Sequence, residues 1–420
     1  MMKPGFKAPF NERQADTAVN VLTIAAAFPS LIQPWLVNHL VQIIKFGGDN
    51  RVISRSEQTD VFTDAITDNG LDNKYCCVPT DKWELVKFYF NAMQDKRVSR
   101  LQKTLWESYD GQQETFKNKV LHRLISPAFS CDPDIIHSHT EPVGSRLVPL
   151  IKATKKPFVM TFHGLPPVGV PLISDDARKQ YTGAAEAIFV NTEFAKQQYV
   201  SLGAPEQKCI VIPQGIDLTH WPFEPRSFPE DGTVHILTVG RLHPDKGHFY
   251  AVEAIKALIE QGMDVRYTMV GSGPEKDTIY NHAESLGISH AIEIFSGIPD
   301  AQLRDIYRRA HIFLLPSLRS KDGYHEETQG VVLQEAQATG LLTIATRSGG
   351  IPECIDDNNS GYLVEDRNSD ALAQTIKSVI DKKDDWHNIQ ARARQWVEER
   401  YSADIIATRM NQYYRDIAGL

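Results

Sequence analysis

Two short stretches of this sequence carry side chains whose types and spacing suit recognition of a sugar joined to a diphosphate. Glu327 and Glu335 stand with seven residues between them in Glu327-Thr-Gln-Gly-Val-Val-Leu-Gln-Glu335. Upstream, Val239-Gly-Arg241-Leu-His-Pro-Asp-Lys246-Gly places an arginine and a lysine five positions apart. Carboxylates accept hydrogen bonds from sugar hydroxyls, while a guanidinium and an ammonium bind phosphate oxygens. A nucleotide-sugar is one ligand that fits both pairs.

The basic pair lies between a predicted strand, Val234–Val239, and a predicted helix, His248–Glu260. Arg241 and Lys246 would therefore stand at the carboxyl end of a strand and beside the start of a helix. The positive end of the helix dipole also attracts phosphate, so three features of this turn favour an anion. The alternative interpretation is a solvated loop with two ordinary surface cations.

The acidic pair lies at the start of a helix predicted over Val331–Ala338. Glu327 would precede the helix, and Glu335 would lie about one turn inside it. Taken singly, Glu335 is explained as an exposed helix position and Glu327 as a charge favoured by the helix dipole. Glycine lets a backbone come close to a sugar. Three backbone amides would face a ligand here, those of Thr328, Gln329 and Gly330.

The composition is that of an ordinary globular protein, with 420 residues and a formal net charge of −8. This charge argues against a nucleic-acid partner, which usually requires a basic excess. No apolar run reaches the roughly 18 residues of a membrane span. The five cysteines lack metal-ligand spacing. We therefore expect a cytoplasmic protein.

From Val19 onward, short β-rich runs alternate with helical patterns, which is typical of α/β layers on parallel sheets. The stretch 221–232 has three prolines and no periodicity, as expected of a linker. Open α/β sheets bind ligands at the carboxyl ends of their strands, so two such domains would face a cleft. We predict a polar tail over 1–18, an amino-terminal α/β domain over 19–220, a linker over 221–232, a carboxyl-terminal α/β domain over 233–400 and a terminal helix over 401–420.

The individual elements follow from hydrophobic period and turn residues. The remaining predicted strands are Val19–Phe28, Arg51–Arg55, Asp134–His139, Phe158–His163, Ala187–Asn191, Cys209–Pro213, Val265–Val270, Ile292–Ser296, His311–Pro316 and Leu341–Ala345. The remaining predicted helices include Leu31–Phe46, Val143–Ala153 and Asp175–Ala185.

Together these motifs resemble retaining glycosyltransferase family 4, of the GT-B fold, and most of all its exopolysaccharide-building members, including the colanic-acid type. The resemblance covers most of the chain from Phe28 to about Tyr401. It implies two Rossmann-like α/β domains and a terminal helix that crosses back to the amino-terminal domain. Its other carriers are Phe28-Pro-Ser30, Thr161-Phe-His163-Gly164, Asn191-Thr-Glu-Phe194, Pro213-Gln-Gly-Ile-Asp217, Val270-Gly-Ser-Gly-Pro274, Phe295-Ser-Gly-Ile-Pro-Asp300 and Ser348-Gly-Gly-Ile-Pro-Glu353.

The resemblance also implies a role for each matching residue. Arg241 and Lys246 would bind the diphosphate, Glu335 the ribose and Glu327 the donor sugar. His163 would face the donor sugar and His139 the acceptor. The catalytic set is His163, Arg241, Lys246 and Glu327. The donor-binding set is Ser30, Gly240, Arg241, Lys246, Gly271, Gly273, Ile298, Glu327, Thr328, Gln329, Gly330 and Glu335, with the base near Ile298 and with Ser30 at a position where many relatives carry a glycine pair.

The implied reaction moves a hexose from a nucleotide-sugar to a glycan or a lipid-linked saccharide, with retention of configuration. UDP-hexose is the favoured donor, and a GDP-sugar is the alternative. No cofactor and no metal ion are expected. Asp132-Pro-Asp134 imitates a metal motif of another transferase fold, but we predict a turn there. We likewise interpret His137-Ser-His139 as strand-edge structure rather than a metal pair.

The segment 82–109 is basic and aromatic, with six basic and three acidic residues and a net charge of +3. A basic helix with aromatic residues can lie on an anionic membrane, where a lipid-linked acceptor is found. The segment thus predicts peripheral contact with the inner face of the cell membrane. The alternative is that its aromatic residues pack on the amino-terminal domain.

Two other classes of protein fit part of these sequence features. A nicotinamide-dependent oxidoreductase also has two α/β domains, but Gly271-Ser-Gly273-Pro lacks the third glycine of the dinucleotide motif. A nonenzymatic sugar-nucleotide-binding protein would share the donor contacts without turnover. Among enzymes, a GT-B sugar phosphorylase or an epimerase is the next alternative.

Overall fold

The computed structural model describes residues 18–30, 34–58, 61, 63–109, 114–166, 172–319 and 326–420. The polar tail up to residue 17, and positions 320–325 of the loop before Glu326, lie outside the described residues. The chain divides into two compact units. Unit one comprises Met1–His163, Pro171–Ile212 and Ile406–Leu420, and unit two comprises Gly164–Val170 and Pro213–Ile405.

Unit one is built on a parallel sheet that has seven strands within the described residues, in the order β3-β2-β1-β4-β5-β6-β7. The strands are β1 Val19–Ile24, β2 Gly48–Ser54, β3 Tyr75–Cys77, β4 Ile135–Ser138, β5 Phe158–Phe162, β6 Ala187–Val190 and β7 Cys209–Val211. The helices are α1 Pro34–Lys45, α2 Thr63–Asp68, α3 Lys82–Ala92, α4 Lys96–Glu107, α5 Phe116–Ile125, α6 Glu141–Gly144, α7 Val148–Ala153, α8 Asp175–Ala184 and α9 Glu193–Ser201.

Unit two is built on a second parallel sheet, with six strands in the part of the chain that is described, in the order β10-β9-β8-β11-β12-β13. The strands are β8 Val234–Val239, β9 Val265–Val270, β10 Ile292–Phe295, β11 Ile312–Leu315, β12 Leu342–Thr346 and β13 Tyr362–Val364. The helices are α10 His248–Glu260, α11 Lys276–Ser285, α12 Asp300–Arg309, α13 Val331–Thr339, α14 Ser369–Asp381 and α15 Trp386–Arg400.

The last helix, α16 Ala403–Ala418, completes the core of unit one. Its apolar face carries Ile406, Met410 and Tyr414, which are buried against residues of the sheet such as Val21 and Phe189. Asn411 on the same helix donates hydrogen bonds to the carbonyls at the end of α1. A helix with one apolar stripe must bury it against another layer, and here that layer is the first sheet.

The stretch 221–232 packs on unit two, and the division between the units falls before it, at Pro213. Trp221 is buried against Tyr307, with ring centroids 4.7 Å apart. Phe228 packs on the core beside Trp386. These aromatic side chains bury too much apolar surface for the stretch to remain a solvated connection.

The predicted fold class, two parallel α/β layers with a terminal helix joining the first, is confirmed. The short strands β3 and β13, each of three residues, were not predicted. The single helix expected over Val143–Ala153 is divided into α6, a 3₁₀ turn and α7. Among the described residues, no helix combines the length and the apolar character needed to cross a bilayer.

Candidate active site

The predicted donor-binding residues of unit two gather at one edge of its sheet. Strand order reverses between β8 and β11, which are neighbours in space but not in sequence. Ligands of open α/β sheets bind at such a point, beyond the carboxyl ends of the strands. The loop after β8 carries Arg241 and Lys246, and the loop after β11 carries Glu327. The topology therefore brings together residues that are far apart in sequence.

The basic turn is held by hydrogen bonds within the protein. The buried His248 donates from Nε2 to the carbonyl of Arg241 at 3.0 Å. The guanidinium of Arg241 is half exposed and forms an ion pair with Asp245, with 3.1 Å between Nη2 and Oδ2. Asp245 also pairs with His243. The turn thus presents one oriented guanidinium to solvent, and neither Asp245 nor His248 was predicted to contribute.

Gly247 ends this turn in the left-handed conformation, with φ +66°. A Cβ at this position would lie 2.0 Å from the carbonyl oxygen of Pro316, the residue that follows β11. Only glycine satisfies both the backbone conformation and this close packing. The start of α10 is therefore locked against the loop after β11.

Lys246 and Glu327 form an ion pair across the two loops. Both side chains are mostly buried, with 13% and 21% of their surface exposed. A mostly buried charge is costly unless an opposite charge lies beside it. Each of the two residues therefore keeps the other in place. The sequence predicted each residue as a ligand contact and did not predict this pairing.

The backbone of Glu327 is anchored by the turn Ser348-Gly-Gly. The amide of Gly350 donates to the carbonyl oxygen of Glu327 at 2.7 Å, and the amide of Gly349 donates to the carboxylate of Glu326 at 2.9 Å. Gly349 has φ +52°, and a Cβ there would lie 2.2 Å from the Glu327 carbonyl oxygen. The glycine pair was noted in the sequence without a role, and in the structure it positions Glu327.

Gln329 and Gly330 have partners inside unit two. The side chain of Gln329 is buried; its Oε1 accepts from the backbone amide of Gln214 at 2.8 Å, and its Nε2 donates to the carbonyl of the same residue at 3.0 Å. The carbonyl oxygen of Gly330 accepts backbone hydrogen bonds from Leu333 at 2.9 Å and from Gln334 at 3.2 Å. Groups already used in these hydrogen bonds cannot also bind a ligand. The ligand contacts predicted for Thr328, Gln329 and Gly330 must therefore come from their other groups.

Glu335 lies on α13 and is half-buried. Burial raises the pKa of its carboxyl to about 8, and a hydrogen bond from Tyr307 works against this rise. The Tyr307 hydroxyl donates to Oε2 at 3.3 Å. Tyr307 comes from α12, so the environment of Glu335 is set by another helix. A carboxyl whose pKa is raised in this way is typical of a functional site.

The predicted glycines line the same edge. A Cβ on Gly271 would lie 1.7 Å from the carbonyl oxygen of Gly240, and one on Gly273 would lie 2.2 Å from that of Leu242. These two glycines are therefore required by the packing of the loops after β8 and β9, whatever they contact in a ligand. Gly240 itself has open space where a Cβ would be. Ile298 follows β10 and is partly buried on the core.

Unit one has its own reversal of strand order, between β1 and β4. His139 follows β4 and His163 follows β5, with 3.2 Å between Nδ1 of His139 and Nε2 of His163. Trp35 of α1 lies against His163, with ring centroids 4.1 Å apart. The predicted contact Ser30 follows β1 and is buried.

The Asp132-Pro-Asp134 stretch is an irregular loop that follows a turn at Ser130 and Cys131 and leads into β4. Asp132 has φ +50° and pairs with Lys156, while Asp134 accepts hydrogen bonds from the backbone and side chain of Asn20 at 3.0 Å. Each carboxylate thus has a structural partner.

The chain matches known families along most of its length. Residues 89–220 match the family described as Glycosyltransferase Family 4, and residues 222–396 match the one described as Glycosyl transferases group 1. The chain belongs to glycosyltransferase family 4. This membership sets aside the nicotinamide oxidoreductase alternative.

Relatives of this glycosyltransferase extend the match. The putative colanic acid biosynthesis glycosyltransferase WcaL of Escherichia coli is 24% identical over 401 residues, which cover 90% of this chain and 95% of the relative. The amylovoran biosynthesis glycosyltransferase AmsK of Erwinia amylovora is 28% identical over 250 residues, covering 59% and 61%.

Solved structures support the fold of this glycosyltransferase. Anabaena Alr3699/HepE in complex with UDP and glucose aligns with a TM-score of 0.70 at 14% identity, covering 95% of this chain and 100% of that one. At such identity the likeness concerns the fold, and it confirms the GT-B architecture predicted from the sequence.

Proposed function

We propose that this glycosyltransferase moves a hexose from a nucleotide-sugar to a glycan or lipid-linked saccharide in polysaccharide biosynthesis. The proposal includes retention of configuration at the anomeric carbon and donor activation without a metal ion. The named activities of WcaL and AmsK, in colanic acid and amylovoran biosynthesis, support the kind of product. The site in unit two supports the kind of donor.

The observation that carries the proposal is the ion pair between Lys246 and Glu327. In a nucleotide-sugar, the bond that breaks joins a phosphate oxygen to the sugar. Lys246 would bind the phosphate side of this bond, and Glu327 would bind hydroxyls of the sugar side. Their pairing therefore places a cation and a carboxylate at adjoining positions, as the two halves of this donor require.

Charge development supports a role for Arg241 and Lys246 in the reaction itself. As the glycosidic bond breaks, its electron pair stays with the diphosphate, and the anomeric carbon becomes electron-poor. Preorganised donors to such developing charge are each worth on the order of 3 kcal/mol. We propose that the leaving phosphate then helps to deprotonate the acceptor hydroxyl, which attacks from the face that the phosphate leaves.

The nucleoside would be held on the other side of the diphosphate. Glu335, hydrogen-bonded to Tyr307, would accept hydrogen bonds from the ribose hydroxyls. The base would lie near Ile298, in the loop after β10. Contacts through backbone groups leave little trace in the side chains, so the sequence alone does not identify the base. We favour UDP because HepE was solved with UDP-glucose, while a GDP-mannose-dependent mannosyltransferase among the relatives keeps GDP-sugars as the alternative.

A panel of UDP-, GDP- and ADP-sugars tests the donor. We expect one donor to raise the melting temperature, because a ligand that binds only the folded state stabilises it. We also expect slow hydrolysis of that donor, unaffected by a chelator. Tight binding without hydrolysis or transfer would favour the nonenzymatic sugar-nucleotide-binding alternative.

Complete, metal-reversible loss of activity with the chelator would contradict metal-free activation. NMR of the product's anomeric proton tests retention.

The aromatic residues of segment 82–109 support membrane contact as a further part of the proposal. Phe88 and Tyr89 are buried, as the packing alternative expects, but Trp83 and Trp106 expose 76% and 73% of their surface. Trp83, Lys87 and Phe90 are three or four residues apart on α3, so they share one face of the helix. Large exposed aromatic residues beside lysine suit the interface of an anionic bilayer.

Vesicle sedimentation tests this part. We expect the chain to bind vesicles that contain phosphatidylglycerol more than vesicles of phosphatidylcholine alone, and Trp83→Ala with Trp106→Ala to weaken the binding. Tyr280→Ala, which removes an exposed aromatic residue of unit two, is the matched control. Equal binding by the double variant and the wild type would contradict membrane contact through this segment.

A further inference from the structure

Three histidines of unit one form a cluster at the carboxyl edge of its sheet. His39 lies on α1, His137 on β4, and His139 directly after β4. One ring nitrogen from each lies within 4.8 Å of the others. His137 and His139 are buried, and His39 is half-buried. We call these three residues the histidine cluster.

His139 has an unusual hydrogen-bond pattern. Its Nδ1 lies 3.2 Å from Nε2 of His163, but its Nε2 is buried and has no hydrogen-bond partner among the described residues. Buried polar atoms are nearly always hydrogen-bonded, so a buried ring nitrogen without a partner points to a ligand. The ring is thus oriented by one nitrogen, while the other is available.

His137 is oriented by two hydroxyl groups. Its Nδ1 lies 2.6 Å from the hydroxyl of Tyr414, and its Nε2 lies 2.7 Å from that of Thr161. To bind a cation, His137 would have to lose one of these partners: a turn of the Thr161 side chain about its Cα–Cβ bond would uncover Nε2, while Tyr414 keeps Nδ1 hydrogen-bonded. The neutral imidazole is the form that binds metals.

We propose that His39, His137 and His139 bind a late first-row divalent cation, with Zn²⁺ as the representative. Imidazole nitrogens suit Zn²⁺, Cu²⁺ and Ni²⁺, and three histidines leave a Zn²⁺ ion one open position. His163 would be the outer partner that fixes the orientation of His139, as metal-ligating histidines require. This assignment differs from the strand-edge interpretation of His137-Ser-His139. It concerns unit one and leaves the donor chemistry of unit two free of metal.

Occupation of the site would fix a proton on His163. A cation on Nε2 of His139 leaves the proton of that ring on Nδ1. This N–H then donates to Nε2 of His163, which must carry its own proton on Nδ1. The cation would thus select one tautomer of His163 without contacting it.

Titration of the full chain with Co²⁺, after chelator treatment and dialysis, tests the site. We expect one equivalent to bind with visible absorption, and Zn²⁺ to displace it. His39→Gln and His139→Gln should each weaken binding by at least about tenfold, since even outer partners of metal ligands are worth 10- to 100-fold. His290→Gln, at an exposed histidine of unit two, is the control.

Equal Co²⁺ affinity in the wild type and His39→Gln would overturn the proposal. If the buried variant His139→Gln fails to fold, the half-buried His39→Gln and the wild type carry the test. In the wild type, Zn²⁺ should raise the melting temperature and move the ring-nitrogen resonances of His39 and His139. Unchanged resonances at saturating Zn²⁺ would equally overturn the proposal.

Discussion

Lys246 and Glu327 are 81 residues apart in sequence and form an ion pair between the loops that follow β8 and β11. Each side chain therefore holds the other in place before any ligand arrives. A substitution at either position would therefore have two effects, the loss of its proposed ligand contact and the release of its partner.

Replacing either cation of the basic turn should reduce turnover strongly. We expect Arg241→Ala and Lys246→Ala each to lower kcat at least roughly 100-fold, because each removes a charge directed at the leaving diphosphate. Lys256→Ala is the control, since this lysine pairs with Glu260 on the exposed side of α10. Near-normal turnover in both folded variants would contradict the diphosphate site.

Substitutions of the two glutamates should affect different parts of the donor. Glu335→Ala should weaken binding of the bare nucleoside diphosphate, by about 1.5–3 kcal/mol for a lost hydrogen bond to a charged group. Glu327→Ala should retain that binding, because it removes no nucleotide contact and frees Lys246 for the phosphate, yet it should impair sugar transfer. Calorimetry and a transfer assay measure the two effects. Wild-type affinity in Glu335→Ala would show that the ribose assignment is wrong.

Nucleotide affinity should depend on pH through Glu335. Its carboxyl has a pKa of about 8, raised by burial, and ribose hydroxyls donate to the ionised form. Affinity for the bare nucleoside diphosphate should therefore rise between pH 6.5 and 8, by at most about tenfold per unit for one proton, and level off above pH 8. Glu335→Gln should lose this part of the pH dependence. The same profile in variant and wild type would exclude Glu335 as its source.

Stability offers a second measure of the same group, independent of any ligand. Because the folded pKa lies above that of the unfolded chain, the folded state binds the extra proton. The resulting stabilisation is fully present at pH values below the unfolded pKa and is lost as pH rises through about 8. Relative to Glu335→Gln, the wild type should thus become less stable between pH 5 and 8, as measured by denaturant unfolding.

The glycine pair that anchors Glu327 should matter for transfer. Gly349→Ala would place a Cβ 2.2 Å from the Glu327 carbonyl oxygen and displace that residue. Gly262→Ala is a matched control, because Gly262 also has positive φ, at +80°, but open space around it. The left-handed backbone costs an alanine about 1–2 kcal/mol at either position. Only Gly349→Ala should lower kcat by more than the loss of stability explains.

The sequence predicted the elements of unit two closely. The observed bounds of β8, β9 and α10 equal the predicted ones, since each combines a strand or helix pattern of apolar residues with turn residues at its ends. The three-residue strands β3 and β13 were missed, whereas β7, of the same length, was predicted within the longer run Cys209–Pro213. Their pairing with β2 and β12 is a property of the assembled sheet.

For the site, the sequence indicated which residues to consider but not their surroundings. Glu335 has the local pattern of an exposed helix position, and its hydrogen-bond donor Tyr307 comes from another helix. The anchoring of Glu327 by Gly350 joins positions that no local pattern connects. The histidine cluster draws on α1 and β4, so the pair His137 and His139 alone did not indicate a site for a cation.

The order of synthesis gives α16 a particular importance. Unit two is encoded between the main part of unit one and the helix that completes its core. During synthesis, the first sheet is therefore complete before the helix that covers residues such as Val21 and Phe189 has been made. About two hundred further residues are added in that interval, at roughly 5–20 residues per second. Chaperone demand during translation should thus concentrate on unit one, and a premature stop before Ile406 would yield an aggregating chain with an otherwise complete second unit.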